Sequence, residues 1–235
     1  MKQNELQMLS SEFGWYRGNR NTKFVPVRID RDFLYLGVRR LKYMQILEDF
    51  DGKALPKLET DRLILRQRTV GDVPAMFDYV CLEEVAYPAG LSPIASLEDE
   101  YDYFENRYYQ NLEKAKLPSG YGITVKGSDR IIGSCDFNHR HEDDVFEIGY
   151  MLHPDYWGHG YMTEAVAALI EVGFTLLNLH KIEIRCYDYN KQSQRVAEKL
   201  GFTLEATIRD RKDNQGNRCV NLIYGLLRSE WEGRK

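Results

Sequence analysis

No stretch of this sequence approaches the roughly 18 consecutive apolar residues that a membrane-spanning helix requires. The N-terminal MKQNELQMLSSEFG lacks the apolar core of about 7–15 residues that a secretory signal needs, so export is not expected. Cysteine is scarce: Cys81, Cys135, Cys186 and Cys219 are widely spaced, with no C-x-x-C. That spacing offers neither a small disulfide framework nor a zinc pair, and reduced thiols in a cytoplasmic protein are the expectation. His139 and His141 share one side of a strand end, but no third ligand stands at metal-like spacing, so no metal site is expected. Positive charge is not in excess either. With 32 Lys and Arg against 36 Asp and Glu, the formal charge is −4, which argues against a nucleic-acid phosphate backbone as partner. No internal repeat or low-complexity tract is visible.

What remains is an ordinary globular composition, 43% hydrophobic and 29% charged over 235 residues, enough for one ample domain and an appendage. Gly and Pro bracket a polar connector at Asp51-Gly52-Lys53-Ala54-Leu55-Pro56. Residues 1–56 therefore read as an N-terminal extension of unassigned role, and 57–231 as the main domain. In that domain Leu63-Ile64-Leu65, flanked by Arg62, Arg66 and Arg68, reads as a strand. A helix opens at Gly71-Asp72 and a second covers 96–114. Strands follow at 122–126, 130–138 and 145–152. Met162, Ala165, Val166, Leu169, Ile170, Phe174 and Leu177 then recur at helical spacing over 160–177. Strand 181–187, helix 191–200 and a last antiparallel pair, 202–209 with 219–227, complete the order. The result is a mixed sheet in an α/β or α+β layer architecture, with strands 145–152 and 181–187 made parallel by the helix that crosses between them.

Between that first parallel strand and its helix lies His153-Pro154-Asp155-Tyr156-Trp157-Gly158-His159-Gly160-Tyr161. A strand, a glycine turn and a helix N-terminus can hold an anion, because glycines let a ligand approach the backbone and the first helical amides are unpaired. Gly158 and Gly160 can equally serve only to make a sharp turn. A Walker loop is excluded by the lack of the following Lys, and a dinucleotide fingerprint by Thr163 where a third small residue belongs.

The stretch EIGYMLHPDYWGHGYMTEAV (147–166) resembles the acetyl-CoA-binding motif of GNAT acetyltransferases, in particular the RimJ/RimL-like branch. The resemblance extends through LETDRLILRQRTVGD (58–72) and NKQSQRVAEKLGF (190–202), in the same order, and covers about 57–231. It implies a mostly antiparallel seven-stranded sheet with helices on both faces and a splayed parallel pair of central strands. It also implies acetyl-CoA as co-substrate. The backbone around Trp157, Gly158, His159, Gly160, Tyr161 and Met162 is then expected to hold the pyrophosphate, although Asp155 stands where the family usually has Gln or Arg. Met151 and His153 are expected to offer backbone groups to the pantetheine, and an amide at Met151 or Leu152 to serve the thioester oxygen.

The Tyr that many GNAT enzymes use as general acid is replaced here by Val196-Ala197. The RimJ/RimL-like pattern instead implies Asn190 on the pantetheine arm and Ser193 as proton donor to the sulfur, while a cap role for Asn190 stands beside it. Glu147, amid Val145, Phe146 and Ile148, is the expected general base, facing the cleft where desolvation raises a carboxyl towards neutral; a structural ion pair is the competing reading. The acceptor is expected to be a primary amine: a protein N-terminus, a polyamine or an aminoglycoside-like molecule. Acidic residues at Glu83, Glu84, Glu98, Asp99, Glu100, Asp102 and Glu105 can steer a cation, or simply suit helix N-termini. A non-catalytic acyl-CoA sensor or interaction module on the same fold is the competing function, and the protein is expected to be a monomer or homodimer.

Overall fold

A computed structural model describes residues 13–15, 26–28 and 54–234. Phe13–Trp15 (β1) and Pro26–Arg28 (β2) form an antiparallel pair. The rest of the extension expected at 1–56 lies outside the described residues, apart from its last residues, where Ala54 bridges Ser119. The main body is an eight-stranded sheet in the order β3-β4-β5-β6-β7-β8-β10-β9. Its strands are Leu58–Glu59 (β3), Leu63–Arg66 (β4), Tyr121–Val125 (β5), Ile131–Glu142 (β6), Val145–Leu152 (β7), Lys181–Tyr187 (β8), Thr203–Lys212 (β9) and Arg218–Leu227 (β10). Seven of these are the strands the sequence predicts; the eighth is the two-residue β3 at the edge.

Every neighbouring pair is antiparallel except β7 and β8. Their parallel register covers only Val145–Lys181, Phe146–Ile182 and Glu147–Glu183, although β7 runs on to Leu152 and β8 to Tyr187. Past Glu147 the two strands separate, and a cleft opens in the middle of the sheet.

Helices cover both faces, as expected. On one side Tyr161–Thr175 (α5) buries Val166, Leu169 and Phe174 against Leu63, Leu65, Ile123, Phe137 and Ile148. Alternation explains the strand side: Leu63 and Leu65 are buried while Ile64 and Arg66 are not. Lys191–Lys199 (α6) adds Ala197 to the same core. On the other side Val73–Val80 (α1) packs Val73, Met76 and Val80 with Phe104, Tyr108, Ile131 and Met151. Glu83–Ala86 (α2) and the turn Tyr87–Ala89 follow, neither visible in the sequence pattern. The single helix expected over 96–114 is broken. Leu97–Asp102 (α3) passes into a wider π-helical segment, Tyr103–Tyr108, and then into Tyr109–Ala115 (α4). The wide turn brings both Phe104 and Tyr108 inward, with their rings stacked at 5.5 Å. A short C-terminal helix, Arg228–Glu232 (α7), completes the chain. Among the described residues no helix is long and apolar enough to cross a membrane.

A polar knot lies inside this second layer. Arg68 Nη2 donates to Asp136 Oδ1 and to the Tyr108 hydroxyl, both at 2.5 Å, and its guanidinium lies 4.5 Å over the Tyr108 ring. Burial opposes the Arg68 charge most strongly, but Asp136 together with Tyr108 and Tyr79 outweighs it, so Arg68 holds its proton more tightly than usual. Burial pushes the Asp136 carboxyl upward, with Arg68 pulling the other way. Glu100 on α3 is only 2% exposed, and burial pushes its carboxyl up to about 7 against the pull of Arg68. A carboxyl raised in the folded state binds its proton more readily there than in the unfolded chain. Stability therefore falls as pH rises from the ordinary carboxylate range through about 7. Glu100→Gln is expected to raise stability at pH 8 by on the order of 2 kcal/mol and to change little at pH 4, as denaturant titrations at the two pH values will read.

Candidate active site

The glycine turn is built as an anion site requires. Pro154–Tyr156 forms a tight turn closed by the Trp157 amide on the Pro154 carbonyl at 2.9 Å. Gly158 and Gly160 then take φ of +78° and +77°, a region that costs an L side chain about 1–2 kcal/mol. Gly160 is the N-cap of α5, and the first helical bond runs from the Glu164 amide to the Gly160 carbonyl at 3.1 Å. The amides of residues 158–163 have no partner among the described residues. Arg62 pins the turn from outside: it donates to the His159 carbonyl at 2.8 Å, pairs with Glu164 at 2.6 Å and stacks over the Tyr161 ring at 4.7 Å. The Trp157 indole closes it from inside, donating to the Leu152 carbonyl at 2.8 Å.

Next to the turn, strand parity decides which backbone groups of β7 face the gap. The His153 amide donates to Ile132 at 2.8 Å, and from there the register with β6 runs without a slip to Ile148. In an antiparallel ladder residues alternate in their bonding, so Met151 and His153 turn their amides and carbonyls to β6. Tyr150 and Leu152 turn theirs to the space beside β8. The backbone groups expected of Met151 and His153 are thus engaged with β6, while the amides of Tyr150 and Leu152 turn to the gap, and the sequence gives no sign of which parity holds. The His153 carbonyl is also taken, by the Tyr156 amide at 3.0 Å, and His153 does not line the cleft. Nor does His159, whose ring meets the Trp157 carbonyl at 2.8 Å and stacks on Tyr161.

Across the gap, Asn190 caps α6, accepting from the Ser193 amide at 3.0 Å, and donates to the Pro88 carbonyl at 3.0 Å. The cap is the one the cap reading anticipates; the bond to Pro88 is additional, so both ends of the carboxamide are used within the protein. Ser193 is 6% exposed and its Oγ lies 2.8 Å from the Tyr150 hydroxyl, where either oxygen can donate. Burial pushes the Tyr150 phenol well above its ordinary range, and the neighbouring Cys186 thiol up to about 11, so both carry their protons at neutral pH. Tyr150 is the residue that sequence reading missed; it stands within the EIGYML run, and only the fold brings it to Ser193.

Glu147 lines the cleft but is not isolated. Its Oε2 lies 3.0 Å from His141 Nε2 and 3.3 Å from Arg185 Nε, and Arg185 also pairs with Glu183 at 2.9 Å. The ion-pair reading therefore describes its surroundings, while its place on the cleft wall matches the other.

The cleft has a volume of about 350 Å³, at the lower end for ligand sites. One end is formed by Gly158, Gly160 and Thr163; Tyr150, Leu152 and Ser193 lie in the middle; Asn138, Glu147 and Arg185 are at the far end. Arg195 and Lys199 of α6 add positive charge along its wall.

A turn of unpaired amides thus opens onto a cleft between splayed strands, with hydroxyls and a carboxylate along it. A family model described as an acetyltransferase (GNAT) domain matches residues 62–203. The chain is 32% identical over 177 residues to the uncharacterized N-acetyltransferase p20 of Bacillus licheniformis, spanning 75% of this chain and 98% of p20. It is 33% identical over 117 residues to spermidine N(1)-acetyltransferase of Escherichia coli (strain K12), 45% of this chain and 61% of that one. The solved structure of ribosomal-protein-S5-alanine acetyltransferase from Vibrio fischeri shares the fold, with a TM-score of 0.62 at 23% identity over 75% of this chain and 98% of that one. The protein belongs to the GNAT acetyltransferases, enzymes that use acetyl-CoA.

Proposed function

We propose that the cleft binds acetyl-CoA and passes its acetyl group to a primary amine by direct attack in a ternary complex. The observation that carries this reading is the end of β7–β8 pairing at Glu147, with the cleft running from there to the unpaired amides of residues 158–163. Those amides, around Trp157, Gly158, Gly160, Tyr161 and Met162, hold the pyrophosphate with the α5 dipole behind them. The pantetheine lies beside Tyr150 and Leu152 as an added strand would, and one of their amides meets the thioester oxygen.

The amine nitrogen attacks the thioester carbonyl carbon, the C–S bond breaks, and the thiolate takes a proton from Ser193 Oγ. Tyr150 passes a proton to Ser193 through their 2.8 Å contact and regains one from solvent, to which Glu147 gives up the amine's proton. Glu147 takes the proton the amine gives up, His141 and Arg185 fixing its carboxylate. Placement in one complex supplies much of the rate, since oriented reactants reach effective molarities of about 10⁵ M or more.

A cationic acceptor suits this cleft, which Glu84 and Glu147 both line. A polyamine is therefore the first candidate, in keeping with the relative named for spermidine. Residues 1–56 are assigned as an N-terminal extension of unassigned role, 57–231 as the catalytic domain, and the cytoplasm as the compartment.

Thiol release from acetyl-CoA, followed with spermidine, N-terminal peptides and aminoglycosides, tests the reading. Glu147→Gln is expected to lower kcat by about 10²-fold or more, and Ser193→Ala by about 10-fold, Tyr150 being close enough to substitute in part. Tight CoA binding without turnover of any amine would instead favour a non-catalytic acyl-CoA sensor.

A further inference from the structure

The face of β7 that carries Glu147, Gly149 and Met151 has a polar side chain over it that the mechanism has not used. Pairing of β6 with β7 slips by one residue between Phe137–Ile148 and His139–Glu147, which leaves Asn138 as the extra residue of a bulge. A bulge breaks the alternation of a strand and re-aims the inserted side chain. Here the Asn138 side chain lies against Gly149. A Cβ at Gly149 would stand 2.9 Å from Asn138 Cγ and 3.3 Å from its Cβ, closer than side-chain carbons tolerate, so glycine at 149 is what admits the amide.

Asn138 is exposed and lines the far end of the cleft together with Glu147 and Arg185. Its carboxamide has no hydrogen-bond partner among the described residues. Glu84 of α2 lines the same cleft, is exposed, and has no ion-pair partner among the described residues. An unpaired amide and an unpaired carboxylate thus line the same cleft. The first offers a directed acceptor for an N–H, the second a charge without fixed geometry.

We propose that Asn138 and Glu84 form the acceptor subsite. Asn138 Oδ1 accepts an N–H of the attacking amine and so turns the nitrogen lone pair towards the thioester. Glu84 holds a second ammonium of the same acceptor, which makes the substrate class a di- or polyamine. The proposal rests on the acetyl-transfer reading above and adds to it the residues that choose the acceptor.

Steady-state kinetics with spermidine and with propylamine test it. Asn138→Ala is expected to raise KM for spermidine about 10-fold or more, with KM for acetyl-CoA changed less than about 2-fold. Gly149→Ala, which displaces the amide without removing it, is expected to do the same, and the double variant to be no worse than the worse single one. Glu84→Gln is expected to raise KM for spermidine and leave that for propylamine unchanged. Should Gly149→Ala fail to fold, the exposed Asn138 and Glu84 positions carry the test alone. An unchanged spermidine KM in Asn138→Ala overturns the proposal while leaving acetyl transfer intact. Release with a peptide or aminoglycoside but with neither amine overturns the subsite alone. If the wild type releases no thiol with these amines, nor with the peptides and aminoglycosides above, the acetyl-transfer reading fails. Calorimetry of spermidine binding to the CoA complex then decides on Asn138: weaker binding by the alanine variant supports the subsite, and equal or absent binding in both proteins overturns it.

Discussion

Arg68→Ala is expected to lower the unfolding free energy by about 3–5 kcal/mol, the largest loss of any single substitution considered. The reason is the carboxylate it leaves behind rather than the pair itself. Asp136 sits in a buried knot whose one cation is 2.5 Å away, and Tyr108, which also contacts Arg68, is the hydroxyl that receives the Gly120 amide at 3.2 Å. Without Arg68 the folded protein must keep Asp136 charged and desolvated or keep it protonated. Protonation is easier at low pH, and burial already pushes this carboxyl upward. The loss should therefore shrink from pH 8 to pH 5, because a carboxyl with a raised folded-state value binds its proton preferentially in the native protein. Urea titrations at both pH values read this directly. The double variant Arg68→Met, Asp136→Leu is expected to recover most of the loss, since an apolar pair removes both desolvated charges. A loss below about 1 kcal/mol at pH 8 would mean the pair is solvated.

Gly160→Val is expected to weaken acetyl-CoA binding by about 30-fold or more, close to 2 kcal/mol. Gly160 takes φ +77° as the N-cap of α5, a region that a β-branched residue strongly disfavours. The helix start must then rotate, and the amides of residues 158–163 cease to converge. Gly127 supplies the control. It also has a left-handed φ, of +90°, but lies in the β5–β6 turn with open space around the Cβ position. Gly127→Val should lose stability and keep its CoA affinity. Calorimetry on both variants separates strain from loss of the site; equal affinities would show that the turn does not carry the pyrophosphate.

Much of this architecture is legible in the residues because it depends on local pattern. Helix α5 shows through its apolar spacing, the capped start of α6 through Asn190, and the parallel relation of β7 and β8 through the helix between them. What escapes depends on pairing between distant segments. The bulges at Asn138 and His141 carry no mark in sequence, yet they place both side chains on the Glu147 side of the sheet. The π-helical turn at Tyr103–Tyr108 hides within an ordinary helical pattern, because only the buried Arg68 fixes where Tyr108 must point.

The site shows the same division. The turn at Trp157-Gly158-His159-Gly160 and the Asn190/Ser193 pair are local motifs, and the fold sets both around one cleft. That the amides of Tyr150 and Leu152, rather than those of Met151 and His153, turn to the gap follows from a register with β6 that no window of sequence contains. Glu147 reads as an isolated acid along the chain, while His141 and Arg185 reach it from β6 and β8.

Amine-dependent release of CoA thiol is the measurement that tests the central claim most directly, performed with acetyl-CoA and spermidine on the wild type and on Gly160→Val. Release that requires the amine, gives acetylated amine in equal amount and falls about 30-fold in the variant at sub-saturating acetyl-CoA is the predicted result. Release at the same rate in both proteins, or none with any amine while CoA binds, would contradict it.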